Sequence, residues 1–440
     1  HEAWFRSIGR GIARLLRWFV PGIGVKRWFL VLLAGITLLG TGLAFYLLDV
    51  YRTAPKTWWL PILSFVSLRF LTRPWRIVIF ASIGFGLTGL GIWKLNRALM
   101  VPFLRPGLRL VDQVTNFRRR EHGPRIVAIG GGHGIATVLR GLKGYTNNLT
   151  AVVSVADDGG SSGELRRSLG ILPPGDIRNC LAALSDDEAL LTQLFQYRFG
   201  EDTGLGGHSF GNLFISALSD ITGSFEKAIA ESGRALSVHG QVLPATLHNV
   251  RLVADVQLQH AQTEVRVEGE SKIPMAAGRV RRIWLEPDNP SAYPPVIQAV
   301  LAADMIIIGP GSLYTSILPN LLVGDLLEAI RSSRAMKLFI SNLATEKGET
   351  DMYTCGDHIR SLEELVGSEL VDLIVCNSWY DKKLEKGMQW VRVDETIEHD
   401  SRLYVSDLAD HRQPEHHDAV KLAEVLMDLY NERTGPMVKE

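Results

Sequence analysis

Three short stretches of this chain carry residue types suited to phosphate chemistry. The first, Gly130-Gly131-Gly132-His133-Gly134, sits between an apolar run at 125–129 and a helical pattern at 135–142. Strand, glycine turn and helix together point backbone N–H groups at an anion, and the helix dipole favours negative charge there. The second stretch is 157–163 (DDGGSSG), which closes the apolar run 149–156. The third is 172–179 (LPPGDIRN), which leads into another helix. A further glycine turn, Gly309-Pro310-Gly311-Ser312, follows the apolar residues 305–308, and its Gly311 and Ser312 amides suit a second phosphate. Neither turn continues into Gly-Lys-Ser/Thr, which disfavours ATP or GTP hydrolysis.

Each polar residue in these stretches has a ligand reading and a plainer one. His133 donates to the phosphate or stands exposed on the first helical turn. Asp157 and Asp158 suit a magnesium ion or sugar hydroxyls, or cap the next helix. Asp176 begins a helix, so it is an N-cap or a ligand contact. Arg178 and Asn179 lie one turn in, with Arg178 the natural diphosphate partner. His208, Ser209 and Asn212 open a helix behind Gly204, Gly206 and Gly207, and either touch ligand or position that loop. Asp157 also stands where a dinucleotide fold places its ribose-binding acid, so an NAD-dependent oxidoreductase is a third-ranked reading. No Ser-His-Asp, Cys-His or zinc-ligand spacing is present, so no catalytic residue is assigned.

The elements that must position these residues alternate. Apolar, β-branched runs at 125–130, 149–156, 305–308, 337–342 and 371–376 are separated by helical stretches at 177–198, 209–219, 224–236, 294–302, 321–333, 357–366 and 417–431. That order predicts an α/β fold: a doubly wound, mostly parallel, Rossmann-like sheet covered on both faces. Residues 240–286 alternate with period two and predict a small antiparallel insertion at the sheet's edge. Every polar cluster falls at the carboxyl end of a strand, where such sheets bind ligands.

The first hundred residues have a different character. Residues 28–48 form an uncharged apolar run long enough to cross roughly 30 Å of hydrocarbon, and 77–93 form a shorter, glycine-rich one suited to close helix packing in lipid. We expect a hairpin of two transmembrane helices within a membrane anchor at 1–100. Between them, 58–71 reads as an interfacial piece, and 12–20 as a basic amphipathic helix. Basic residues number six in 1–27, five in 49–76 and eight in 94–125, which places both ends of the hairpin on the cytoplasmic side of the cell membrane. The basic linker at 101–123 suits anionic lipid. Residues 1–125 hold 19 Lys and Arg against four acids, whereas the rest holds 28 basic and 43 acidic residues, so an acidic body argues against nucleic acid as partner. Cys180, Cys355 and Cys376 read as buried thiols in a reducing compartment.

The body, 124–440, resembles the YvcK/CofD-like family and, within it, the YvcK branch often called gluconeogenesis factor. Seven blocks carry the resemblance: 128–134 (AIGGGHG), 155–163 (VADDGGSSG), 173–179 (PPGDIRN), 207–213 (GHSFGNL), 242–245 (VLPA), 308–315 (IGPGSLYT) and 348–351 (GETD). The resemblance implies a binding protein for a nucleotide sugar such as UDP-N-acetylglucosamine, linked to cell shape, peptidoglycan synthesis and carbon metabolism, with no required cofactor. It also lifts Tyr353 to a candidate for stacking on the base. The CofD branch implies an alternative, a magnesium-dependent 2-phospho-L-lactate transferase acting on a deazaflavin. The chain departs from the pattern at His133, where many members have threonine. It departs again at His416-His417-Asp418, where relatives tend to have an Arg-His-Asp run. The hydrophobic hairpin lies outside the family pattern, whose familiar members are mostly cytosolic, so we expect a membrane-tethered variant. We also expect a homo-oligomer; the sequence names no protein partner.

Overall fold

The computed structural model describes residues 120–434, apart from 186–188, 259–262 and 277, together with isolated positions between 36 and 89. The chain divides into two compact units, His1–Leu108 and Arg109–Glu440. In the first, the described Ile36, Phe65, Trp75, Val78 and Phe85 are helical and exposed. The expected spans at 28–48 and 77–93, the pieces at 12–20 and 58–71, and the linker at 101–123 fall almost wholly outside the described residues. Among the described residues no single helix is long and apolar enough to cross a membrane.

The second unit is built on seven parallel strands. They are β1 (Ile126–Gly130), β2 (Leu149–Val153), β3 (Gln241–Pro244), β7 (Met305–Ile308), β8 (Met336–Ile340), β9 (Leu373–Asn377) and β10 (Leu403–Ser406), in the spatial order β10-β9-β8-β7-β1-β2-β3. β1, β2, β7 and β9 are buried along their whole length, as strands covered on both faces must be. From β1 the chain moves outward through β2 to β3, then returns to β7 on the other side of β1 and moves outward again. Right-handed crossovers in two opposite directions put helices on both faces. The reversal falls between β1 and β7, which pair in register from Ile126 with Met305 to Ile129 with Ile308.

The helices are α1 (Gly132–Leu142), α2 (Gly160–Leu169), α3 (Gly175–Leu184), α4 (Ala189–Gln196), α5 (Phe210–Thr222), α6 (Phe225–Ala235), α7 (Pro294–Ala302), α8 (Leu318–Leu321), α9 (Gly324–Ser332), α10 (Cys355–Val366) and α11 (Ala419–Thr434). A second sheet, in the order β5-β4-β6, holds β4 (Arg251–Leu258), β5 (Glu264–Glu268) and β6 (Gly278–Glu286), all antiparallel. Its open edge, β5, is lined by Glu264, Arg266 and Glu268, charges that discourage pairing with another chain.

Four expectations change. Residues 241–244 leave the antiparallel insertion and join the main sheet beside β2, with Thr150 opposite Gln241. β10 extends the other edge; its residues are only partly buried, so it lacks the continuous apolar run that marks the equally short β7. The helix expected over 177–198 is broken after Leu184, where Ser185 bridges to Val238 and accepts no further helical turn. Cys355, at the start of α10, is joined to Cys376 on β9 with Cα atoms 6.8 Å apart, while Cys180 is a free buried thiol. The helix packs its first turn on that strand, a contact that a spacing of 21 residues does not reveal.

One close approach sets how the reversal point is built. A Cβ on Gly134 would lie 2.3 Å from the carbonyl oxygen of Pro310, so α1 and the turn after β7 touch backbone to backbone. Gly134→Ala should therefore lower the unfolding free energy by about 2 kcal/mol through overpacking. Gly144→Ala, whose Cβ would meet nothing closer than 3.5 Å, should change it by less than about 0.5 kcal/mol. Urea denaturation of the two variants checks the contrast; equal effects would contradict it.

Candidate functional site

Among the segments that start helically at the carboxyl edge of the sheet are α1, α2, α3, α5 and the π-turn Leu313–Ile317 that runs into α8. Each leaves unpaired N–H groups and a partial positive charge at its first turn. The protein brings carboxylates to two of them. Asp176, on α3, accepts from the N–H of Gly132, and its Oδ2 lies where a Cβ on Gly131 would be 2.5 Å away. Glu349, from the turn after β8, accepts from the amides of Tyr314 and Thr315 and from the Thr315 hydroxyl at 2.8 Å. The seats that the sequence offers to phosphates at Gly132 and after Ser312 are thus partly filled from within. Gly132 itself has φ +62°, a conformation that favours glycine.

The two aspartates of the 157–163 stretch have separate tasks. Asp158 accepts from the Ser271 N–H at 2.9 Å and so pins the short turn Glu270–Lys272, which comes from the far side of the antiparallel sheet. Asp157 accepts from Gly159 at 2.8 Å and is hydrogen-bonded to Glu270. Burial, then the charges of Asp157 and Asp176, push the Glu270 carboxyl far up, so it carries the proton. Burial and then Asp157 push Asp176 up to about 6. Arg166 holds this loop from behind, donating to the carbonyls of Val155, Ala156 and Asp157 and to Asn249.

On the other side of the first glycine turn the charges are positive. His133 stands exposed at the start of α1, close enough to His416, Arg178, Arg140 and Arg198 for their charges to act on it. Its pKa is lowered, by desolvation first and then by those cations. Arg178 is buried: it donates to Ser209 and, at 2.9 Å, to Asn179, leaving Nε without a partner. His208 meets Ser161 at 3.0 Å and Asn212 donates to the same hydroxyl at 3.0 Å, which ties α5 to α2. The Gly311 N–H donates to Asn342 at 3.0 Å, and the Ser312 hydroxyl bonds to Glu346. Asn320, fully buried, donates to the Gly130 carbonyl at 3.1 Å.

The structure therefore gathers Gly130, Gly131, Gly132, His133, Gly134, Asp157, Asp176, Arg178, Asn179, Gly309, Gly311 and Ser312 near the carboxyl ends of β1, β2 and β7, where a reversal of strand order leaves a crevice in such sheets. It assigns His208, Asn212 and Asp158 to holding that crevice's walls. Tyr353 is buried, with its hydroxyl 2.8 Å from that of Tyr314 and its ring in an edge-type contact with His358. Sequence reading missed Glu270, Glu346, Glu349 and Arg166. Only Glu349 had a signal, as part of the 348–351 block.

Comparison with known proteins gives the same frame. The family model for "2-phospho-L-lactate transferase CofD" matches residues 126–410. The chain belongs to the CofD/YvcK family. The gluconeogenesis factor of Bacillus subtilis is 43% identical over 318 residues, which is 70% of this chain and 99% of that protein. A Nostoc sp. relative is 47% identical over 374 residues, covering 82% of this chain and 78% of its own. That is more of the chain than residues 124–440 can supply, so the likeness extends into the N-terminal segment, contrary to expectation. A crystal structure of a Bacillus halodurans protein superposes with a TM-score of 0.65 at 41% identity, over 70% of this chain and 99% of that one.

In this CofD/YvcK-family protein, no group of three or more His, Cys, Asp or Glu among the described residues is arranged to hold a metal ion. The buried acids make a pH prediction. Burial, then Glu346, push Glu349 up to about 8, while an unfolded glutamate titrates near 4.3. Between those values the folded state holds a proton that the unfolded state releases, so stability falls as pH rises towards 8. Burial pushes His417 down to about 4, so its opposing contribution fades as pH rises past the ordinary histidine value of about 6.5, and it is common to the wild type and to Glu349→Gln. Urea midpoints should fall from pH 6.5 to 8, less steeply in Glu349→Gln; identical slopes would contradict the assignment.

Proposed function

We propose that this protein binds a nucleotide sugar of the UDP-N-acetylglucosamine type and acts as a regulatory rather than a catalytic member of its family. The observation that carries this reading is the crevice at the β1/β7 reversal. Two glycine turns abut there, and Arg140, Arg178, Arg198 and His416 are close enough for their charges to act on His133 beside them. A reversal of strand order is where open α/β sheets take ligands. With Gly132 committed to Asp176, the diphosphate takes the next amides of α1, at His133 and Gly134, and the surrounding cations. The mixed face of carboxyls at Asp157, Asp176 and Glu270 suits sugar hydroxyls. Regulation of cell shape, cell-wall synthesis and carbon metabolism, by a homo-oligomer tethered to the cell membrane through residues 1–100 with its body cytoplasmic, completes the proposal.

A second reading is transfer of a 2-phospho-L-lactyl group, favoured by the name of the matching family model and by the carboxyl cluster beside the crevice. Incubation with a guanosine-linked phospholactate donor, a deazaflavin acceptor and magnesium tests it; absence of product rejects it. A third reading, an NAD-dependent oxidoreductase, would place Asp157, which accepts from Gly159 and is hydrogen-bonded to Glu270, against a ribose.

Calorimetric titration of the purified full chain with UDP-N-acetylglucosamine should give saturable binding. Arg198→Ala should weaken it roughly tenfold by removing a charge-assisted contact. No heat up to millimolar ligand would reject the proposal.

A further inference from the structure

Beyond β9, on the same edge of the sheet as the glycine turns, lies an aromatic group that the crevice described above does not use. Trp379 and Tyr380 follow β9 directly, Trp390 pairs across to Ala344 beyond β8, and His411 comes from the loop after β10. The imidazole of His411 lies flat on Trp379, with ring centroids 4.2 Å apart and planes 19° from parallel. Trp390 buttresses this pair edge-on at 5.9 Å and meets Tyr380 at 5.7 Å.

The stack is held in place by polar contacts. Asn377, buried at the end of β9, donates to the Trp379 carbonyl at 2.5 Å and accepts from the Leu408 N–H at 3.1 Å. One side chain thereby fixes both loops that carry the stacked rings. His411 Nε2 lies 2.9 Å from Asp407 and 3.0 Å from Lys421 Nζ, which sets the ring's orientation. Half of the His411 side chain is nevertheless open to solvent. A ring pinned flat on tryptophan and half open to solvent is a preformed platform for another flat ring.

Its position suits one ligand. In the order β9-β8-β7-β1, three strand spacings separate the Trp379 column from the first glycine turn, about 14 Å. That is the reach of an extended nucleoside diphosphate. The loop that presents His411 also carries His416, whose charge acts on His133 beside the glycine turn. Asn342, which takes the Gly311 N–H, lies two residues before Ala344, the partner of Trp390. The platform and the phosphate end therefore share walls.

We propose that the exposed face of His411, backed by Trp379, is the seat of the nucleobase. This rests on the nucleotide-sugar reading and adds to it a base subsite in place of Tyr353. Full-length protein, wild type and His411→Ala, is titrated with UDP, UDP-N-acetylglucosamine, N-acetylglucosamine 1-phosphate and inorganic pyrophosphate. The variant should bind the two uridine ligands about tenfold more weakly and the two base-free ligands within about twofold of wild type. His411→Tyr, which restores a flat ring, should recover most of the loss. Unchanged uridine affinity in His411→Ala, or an equal loss for pyrophosphate, overturns the base seat while leaving the glycine-turn site intact. A loss confined to the sugar phosphate also overturns it, by placing the sugar there instead. Wild-type protein that binds none of the four overturns both.

Discussion

The constraint on which the rest of the structure depends is the backbone contact between the two glycine turns at the β1/β7 reversal. Parallel strands stand one spacing apart, and side chains on both turns would not fit between them. With Gly134 against Pro310, the turns close up and their helices begin beside each other. Asn320 locks the same contact by reaching from α8 to the last carbonyl of β1. The crevice follows from this geometry, because the chain leaves β1 and β7 in opposite directions.

Convergent helix starts create a second problem, which the buried acids answer. Several partial positive charges gathered in one place attract anions but also repel each other. Asp176 and Glu349 accept from the free amides of two of them, at the cost of burying carboxyl groups whose pKa values rise in response. Glu270 keeps its proton and shares it with Asp157. The result is a crevice with a carboxyl wall and a cationic wall, and a diphosphate-linked sugar has complementary halves.

Much of this was legible in the residues. Runs such as 126–130 and 305–308 are apolar and β-branched because both faces are buried, and their glycine turns mark the strand ends. The 240–286 alternation identified β4, β5 and β6. Other features arise only when distant segments meet. Glu270 lies in a short turn between two antiparallel strands, and nothing near it in sequence hints that Asp158 draws that turn across to the crevice. β3 and β10 are four residues each, below the length at which period two separates from chance. Tyr353 is a candidate by likeness alone, and its burial beside Tyr314 is a contact that no local pattern announces. The stack of His411 on Trp379 joins loops 32 residues apart, a contact no local pattern encodes.

The central claim is that a nucleotide diphosphate occupies the crevice at the β1/β7 reversal. Amide hydrogen exchange of the full chain, with and without saturating UDP-N-acetylglucosamine, tests it most directly. The account predicts slowed exchange in segments covering residues 131–135 and 311–315, with the antiparallel sheet unchanged. Saturable binding that protects neither glycine turn would contradict it.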